Sequence, residues 1–221
     1  MTIISEVEHT LGDATPATFD KYVEMYGEVA IQALIEVGAN PLGAFRQATG
    51  PVGRDLMISN FESLTVLEET LGKLMENKTL VEGLPRLMGM GFTIDELSKY
   101  GRTLPFADER RIQQGMDNPS GNPRHYRLIR RRADTDGMEA AIYALSDLAD
   151  GLEAAGSWKL FTAYVTISGD RRELSEMWIA DDLTLDWYPE AAPAKALAAL
   201  DAASLDASIH FLEPLPYSRA R

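Results

Sequence analysis

No cysteine occurs among the 221 residues. That excludes disulfides, thiolate nucleophiles, iron–sulfur clusters and cysteine-based zinc sites, and it fits a reducing compartment. Histidine is nearly as scarce, with three in all, and no two sit three or four residues apart on a helix, so no metal cluster is expected from spacing. Positive charge is short: 21 Lys and Arg against 34 Asp and Glu give a formal net charge of -13. A chain so acidic is not built for general nucleic-acid affinity or for an anionic membrane surface. No apolar run approaches the length of a membrane span. Met1-Thr2-Ile3-Ile4-Ser5-Glu6 carries acid where a signal peptide carries base. The expectation is a cytoplasmic protein.

What the chain does have is a pattern that occurs twice. Residues 42–59 and 160–178 each read as a strand, a glycine-containing turn and a second strand, and each is preceded by an amphipathic helix ending in glycine. Each half also closes on a similar tag, Thr103-Leu104-Pro105-Phe106-Ala107 and Pro214-Leu215-Pro216-Tyr217-Ser218. A long internal repeat fixes architecture better than any short motif.

Residues 3–11 alternate, with Ile3, Ser5, Val7, His9 and Leu11 on one face and Ile4, Glu6, Glu8 and Thr10 on the other, which predicts a strand. Thr15-Pro16 opens a helix whose apolar stripe runs through Phe19, Tyr22, Val23, Tyr26, Ala30, Ala33, Leu34 and Val37 to Gly38. A hairpin over 42–60 and a helix over 64–77 follow. Residues 78–100 are broken by glycine and proline and read as an insertion of short helices or loops, with Thr93 capping a fresh turn. Tyr100–Phe106 is the closing strand, and residues 108–122 the linker. The second half restarts with a strand at His125–Arg132. Then come a helix capped by Asp134 or Thr135, a hairpin at 158–180, a helix near 190–204 and a strand at Ser208–Leu212. Asp181 and Asp182 read as a solvated loop or cap. Each half is therefore β-α-β-β-α-β, the ferredoxin-like order. Domain bounds of 1–107 and 123–221 follow. Such a sheet has helices on one face and needs cover on the other, so two sheets facing each other would make an α+β barrel within one chain.

This order, the closing tag at Phe211-Leu212-Glu213-Pro214-Leu215-Pro216-Tyr217-Ser218 and the aromatic Trp178 in the second hairpin strand together resemble NIPSNAP domains, within the dimeric α/β-barrel superfamily. In the first tag Ala107 replaces the serine. The resemblance implies a barrel with a small-molecule pocket and a possible homodimer. It leaves several activities open, because the superfamily includes cofactor-independent monooxygenases, isomerases, dehydratases and heme proteins. The reading is a metal-free enzyme doing proton transfer or cofactor-independent oxygenation on a small acidic or aromatic molecule. The alternatives are a non-catalytic ligand-binding protein and a heme-binding relative using one strand histidine.

The candidate catalytic residues are His9, His125 and His210, all on or beside strands, and Glu8. Candidate substrate-binding residues are Glu6, Arg127, Arg131, Trp178 and Tyr164. Eight arginines lie between Arg102 and Arg132, opposed there only by Asp108, Glu109 and Asp117. The first strand of one half is acidic, with Glu6 and Glu8. That of the other is basic, with Arg127 and Arg131. If those faces line the barrel, acid from one half meets base from the other, either as an ion-pair network or as a substrate site in which an arginine holds an anion.

Overall fold

The computed structural model describes residues 1–118, 121, 124–134, 136–169, 172–180 and 186–220. Thr135, Asp181 and Asp182 lie outside the described residues. Among the described residues, no helix is long and apolar enough to cross a membrane.

The chain is α+β, and its eight strands form a closed antiparallel barrel. They are β1 (Ile3–Leu11), β2 (Asn40–Gln47), β3 (Arg54–Phe61), β4 (Ile94–Thr103), β5 (His125–Ala133), β6 (Lys159–Thr166), β7 (Glu173–Ala180) and β8 (Ser204–Pro214). Read from β4, the closed order β4-β1-β3-β2-β8-β5-β7-β6 is the ferredoxin-like strand order twice over. Among the described residues, closure leaves no open sheet edge.

By packing, the chain divides into two units, Thr2–Tyr100 with Pro214–Ala220, and Gly101–Glu213. In the first, α1 (Pro16–Tyr26) starts on a capping box: Thr18 N–H donates to Thr15 Oγ1 at 3.2 Å and Thr15 N–H to Thr18 Oγ1 at 2.8 Å. A π-helical turn, Gly27–Ile31, joins it to α2 (Gln32–Glu36). The helix stops at Gly38, whose φ of 84° suits glycine. Phe19, Tyr22, Val23, Tyr26, Ile31 and Leu34 then pack on Leu11, Ala44 and Met57 of the sheet. The segment after β8 belongs with this unit: Leu215 N–H donates to Ala44 O at 2.8 Å, and Ala44 N–H to Ser218 Oγ at 3.1 Å. The serine of the closing tag thus stands in for a strand partner.

Residues 78–100, expected as an insertion of short helices or loops, hold a short helix and a strand. They form α4 (Lys78–Met88), which follows α3 (Leu64–Glu76), and then most of β4. Thr93 caps no turn. Its carbonyl accepts from Gly12 N–H at 3.0 Å, and Ile94 onward joins the barrel, so ladder pairing overrides local capping chemistry.

In the second unit, α5 (Glu109–Met116) occupies much of the expected linker. Asp108 caps it, with Arg111 N–H donating to its side chain at 3.0 Å. Arg111 pins it down, donating to Asp150 at 2.7 Å, Glu153 at 3.2 Å and Phe106 O at 2.9 Å. An acidic helix elsewhere in the unit therefore absorbs one of the clustered arginines. That helix is α6 (Gly137–Ala154). With α7 (Ala194–Ala203) it covers one sheet face through Ala141, Leu145, Leu148, Leu152 and Leu200, packed on Ile129, Leu160, Ala163, Leu174 and Trp178.

Candidate functional site

Side chains on a strand alternate between faces, so the apolar clusters reveal which polar groups each helix layer covers. In the first unit Val7 and Leu11 pack under α1, and His9 lies between them on the same face. His9 is buried, and its ring meets Tyr26 and Tyr22 edge-on at 4.9 and 6.2 Å. Its Nδ1 lies 3.1 Å from Asp55 Oδ1, directly across the β1–β3 ladder, and its Nε2 is 3.7 Å from the exposed carboxylate of Glu96. Burial alone would depress the imidazole pKa. The hydrogen bonds and charges of Asp55 and Glu96 outweigh it and raise the value to about 9. The contact with His9 in turn holds Glu96 below the usual carboxylate range. Burial, reinforced by the charge of Asp55, pushes the phenols of Tyr22, Tyr26 and Tyr217 upward. His9 is thus a buried imidazolium in a shell of neutral phenols.

In the second unit Ile129 packs under α6 and α7, so Arg127 and Arg131 share that helix-covered face. Alternation alone leaves open whether this shared face lines the barrel, and the packing of Ile129 places it under the helices. The reason is parity: Ile129, at the same period, is needed in the apolar layer. Glu6 and Glu8 lie on the face of β1 opposite His9, and Glu6 is buried. Arg127 is fully buried, with its guanidinium 4.1 Å from the Trp158 ring centroid and 5.4 Å from that of Phe211.

Arg131 is the centre of a polar cluster built on the fully buried Glu176. Arg131 Nε donates to Glu176 Oε1 at 2.8 Å, Nη1 to Asp201 of α7 at 3.1 Å and Nη2 to Tyr188 Oη at 2.9 Å. Tyr188 Oη donates on to Glu176 Oε1 at 2.7 Å, and Trp178 Nε1 to Glu176 Oε2 at 2.8 Å. Burial raises the Tyr188 phenol well above its ordinary range and the charge of Glu176 adds to this, against the opposing guanidinium. Burial would lower the Arg131 pKa, but Tyr188 and Glu176 reverse the sign and hold the guanidinium charged.

This cluster forms one wall of a cavity of about 490 Å³ lined by Arg131, Asp186, Trp187, Tyr188, Glu190, Leu197 and Asp201. The volume is within the range of small-molecule sites. Of the candidate residues, only Arg131 reaches it. Trp178 is core, serving Glu176 as a donor, and Tyr164 is buried on the other sheet face, paired with Ser175. His125 sits at the start of β5 opposite Ala180. His210, opposite Leu128, is on the face of the sheet turned away from Arg131, and its Nε2 is 3.2 Å from Arg130 Nη1. A guanidinium only donates, so Nε2 is the acceptor there.

Sequence reading passed over Glu176, Tyr188 and Asp201 in this cluster and Asp55 in the other. Two of them had a signal. Glu176 is the lone carboxylate on a strand face otherwise occupied by Leu174, Trp178 and Ala180, and Asp55 interrupts Arg54–Phe61 in the same way. A charge at a core position calls for a partner. Tyr188 and Asp201 had none, because they come from a loop and a helix face.

No sequence family matches the chain, and no curated protein matches it in sequence. Solved structures do resemble it. A candidate monooxygenase from Lactobacillus acidophilus has a TM-score of 0.58 at 12% identity, over 97% of this chain and 94% of that one. One from Fusobacterium nucleatum has 0.62 at 7% identity, over 97% and 92%. The chlorite dismutase of Candidatus Nitrospira defluvii has 0.53 at 10% identity, over 98% and 91%. At such identities the likeness is one of fold, an eight-stranded α/β barrel. Heme iron takes a His, Cys, Met or Tyr ligand; of these the cavity lining offers Tyr188, whose hydroxyl is committed to Arg131 and Glu176. No histidine lines the cavity, His9 has both ring nitrogens turned to carboxylates, and His210 Nε2 faces a guanidinium. The residues of the cavity do not fit a heme.

Proposed function

We propose that this chain binds a small organic molecule in the cavity of its second half and moves a proton to or from it. The observation that carries the reading is the hydrogen-bonded line from the cavity wall to a buried carboxylate, Tyr188 Oη to Glu176 Oε1 at 2.7 Å. Tyr188 keeps its proton at neutral pH, since burial raises its pKa. It therefore acts as a relay: as it takes a proton from the ligand, its own passes to Glu176. Arg131 touches both ends and holds them in register. A positioned relay of this kind contributes about 10²–10⁴-fold in rate. In this reading residues 1–107 and 123–221 are two NIPSNAP-like repeats, and the second carries the site.

The test is exchange of an acidic C–H on a bound carbonyl compound with deuterated solvent, followed by NMR, with binding measured separately by the fluorescence of Trp187. Tyr188→Phe is expected to abolish exchange and keep binding. Equal exchange in the variant would overturn the relay. Binding without exchange in either protein would leave a ligand-binding protein, the alternative function. A second reading, oxygenation, takes its support from the two neighbours described as candidate monooxygenases. Ligand-dependent uptake of dioxygen would distinguish it.

A further inference from the structure

We infer that the molecule this cavity takes is cationic, an amine on a small aromatic body. The inference rests on the cavity being the ligand site and concerns what its walls select. Three of the lining side chains are carboxylates, Asp186, Glu190 and Asp201, against a single guanidinium. That guanidinium is not offered to a ligand. The Arg131 side chain is 3% exposed, and its three nitrogens donate to Glu176, Asp201 and Tyr188. Its charge is already answered by two of those groups. Asp186 and Glu190, in contrast, are exposed at the mouth and make no hydrogen bond or ion pair among the described residues. Among the described residues, an anionic ligand would thus meet carboxylates with no uncommitted cation in the lining, whereas an ammonium would find two acids without a partner there.

The apolar walls point the same way. Trp187 is 42% exposed at the cavity, and Tyr188 presents its ring beside it. An aromatic face attracts a cation and repels an anion. Leu197 adds a surface for the ligand body. Tyr188, held as a phenol with its O–H donating to Glu176, supplies a hydrogen-bond acceptor but no charge. Carboxylates at an exposed mouth are partly screened, so the selection is modest and depends on salt.

The experiment compares benzylamine, benzyl alcohol and benzoate as ligands of the full chain at neutral pH and low salt. Affinity is read by titration calorimetry and the site by the Trp187 indole N–H signal in NMR. The expected order is benzylamine tighter than benzyl alcohol by about tenfold, with benzoate weakest and the amine's advantage shrinking as salt is added. The double variant Asp186→Asn, Glu190→Gln is expected to abolish that advantage. Both side chains lie at the surface, so the variant should fold. The amine inference alone falls if benzyl alcohol or benzoate binds as tightly as benzylamine at the Trp187 site, or if the double variant keeps the preference. If none of the three binds, the reading of the cavity as a ligand site falls as well.

Discussion

Each unit of this chain hides an ion pair beneath its helices, and the two pairs differ in kind. In the first, His9 faces Asp55 under the tyrosines of α1. In the second, Arg131 faces Glu176 under Tyr188, Trp178 and α7. Both occupy the face of their sheet that the helices cover. The first pair carries a proton that can leave, and a shell of neutral phenols encloses it. The second carries a permanent charge, and a side of it is open to a cavity. One fold position therefore supports a titratable lock in one unit and a fixed polar wall in the other. Wall and opening together are what a ligand needs.

The comparison is broken most severely at Arg131. Arg131→Met keeps the length of the side chain but leaves Glu176 buried with Tyr188 and Trp178 as its remaining donors among the described residues. Removing one partner of a buried pair costs about 3–5 kcal/mol, read as a fall in the urea midpoint. If the loss is below about 1 kcal/mol, the pair behaves as a surface one and the contrast between units collapses.

The first unit gives a smaller, pH-dependent effect. The folded-state pKa of His9 is raised from 6.5 to about 9, so the imidazolium favours folding. That contribution is complete below about pH 6.5 and is lost as pH rises through about 9. It amounts to about 3 kcal/mol at most. The groups packed on His9 are Asp55, Glu96, Tyr22 and Tyr26, and the phenols are raised clear of this window. Denaturant unfolding between pH 6 and 9.5 should therefore show a decline, and Asp55→Asn should flatten it. Arg131 does not titrate there, so a slope that survives in Asp55→Asn would have to come from elsewhere and would refute the assignment to His9.

Much of this architecture was legible in the residues. Alternation in Ile3–Leu11, the cap at Thr15 and the two helix-ending glycines gave the element order, because each is local chemistry. Thr93 and residues 108–122 misled because tertiary contacts decide them. Ladder pairing takes the first, and the reach of Arg111 to Asp150 and Glu153 takes the second. For the site, alternation showed that Arg127 and Arg131 share a face but not which face, since both faces of a barrel strand can be buried. The deciding residue was Ile129 between them.

The smallest effect belongs to a control that lies one residue away. Arg132 also pairs with a carboxylate, that of Asp206, but on the exposed side of the strand, where its side chain is 45% exposed. Solvent screens such a pair and leaves both groups hydrated when it breaks. Asp206→Ala should change stability by less than about 1 kcal/mol, well under Arg131→Met. Adjacent arginines, each facing an acid, would then differ several-fold in consequence through burial alone. If the two variants cost the same, burial is not what separates them, and the second unit's pair would owe its weight to something other than its place under the helices.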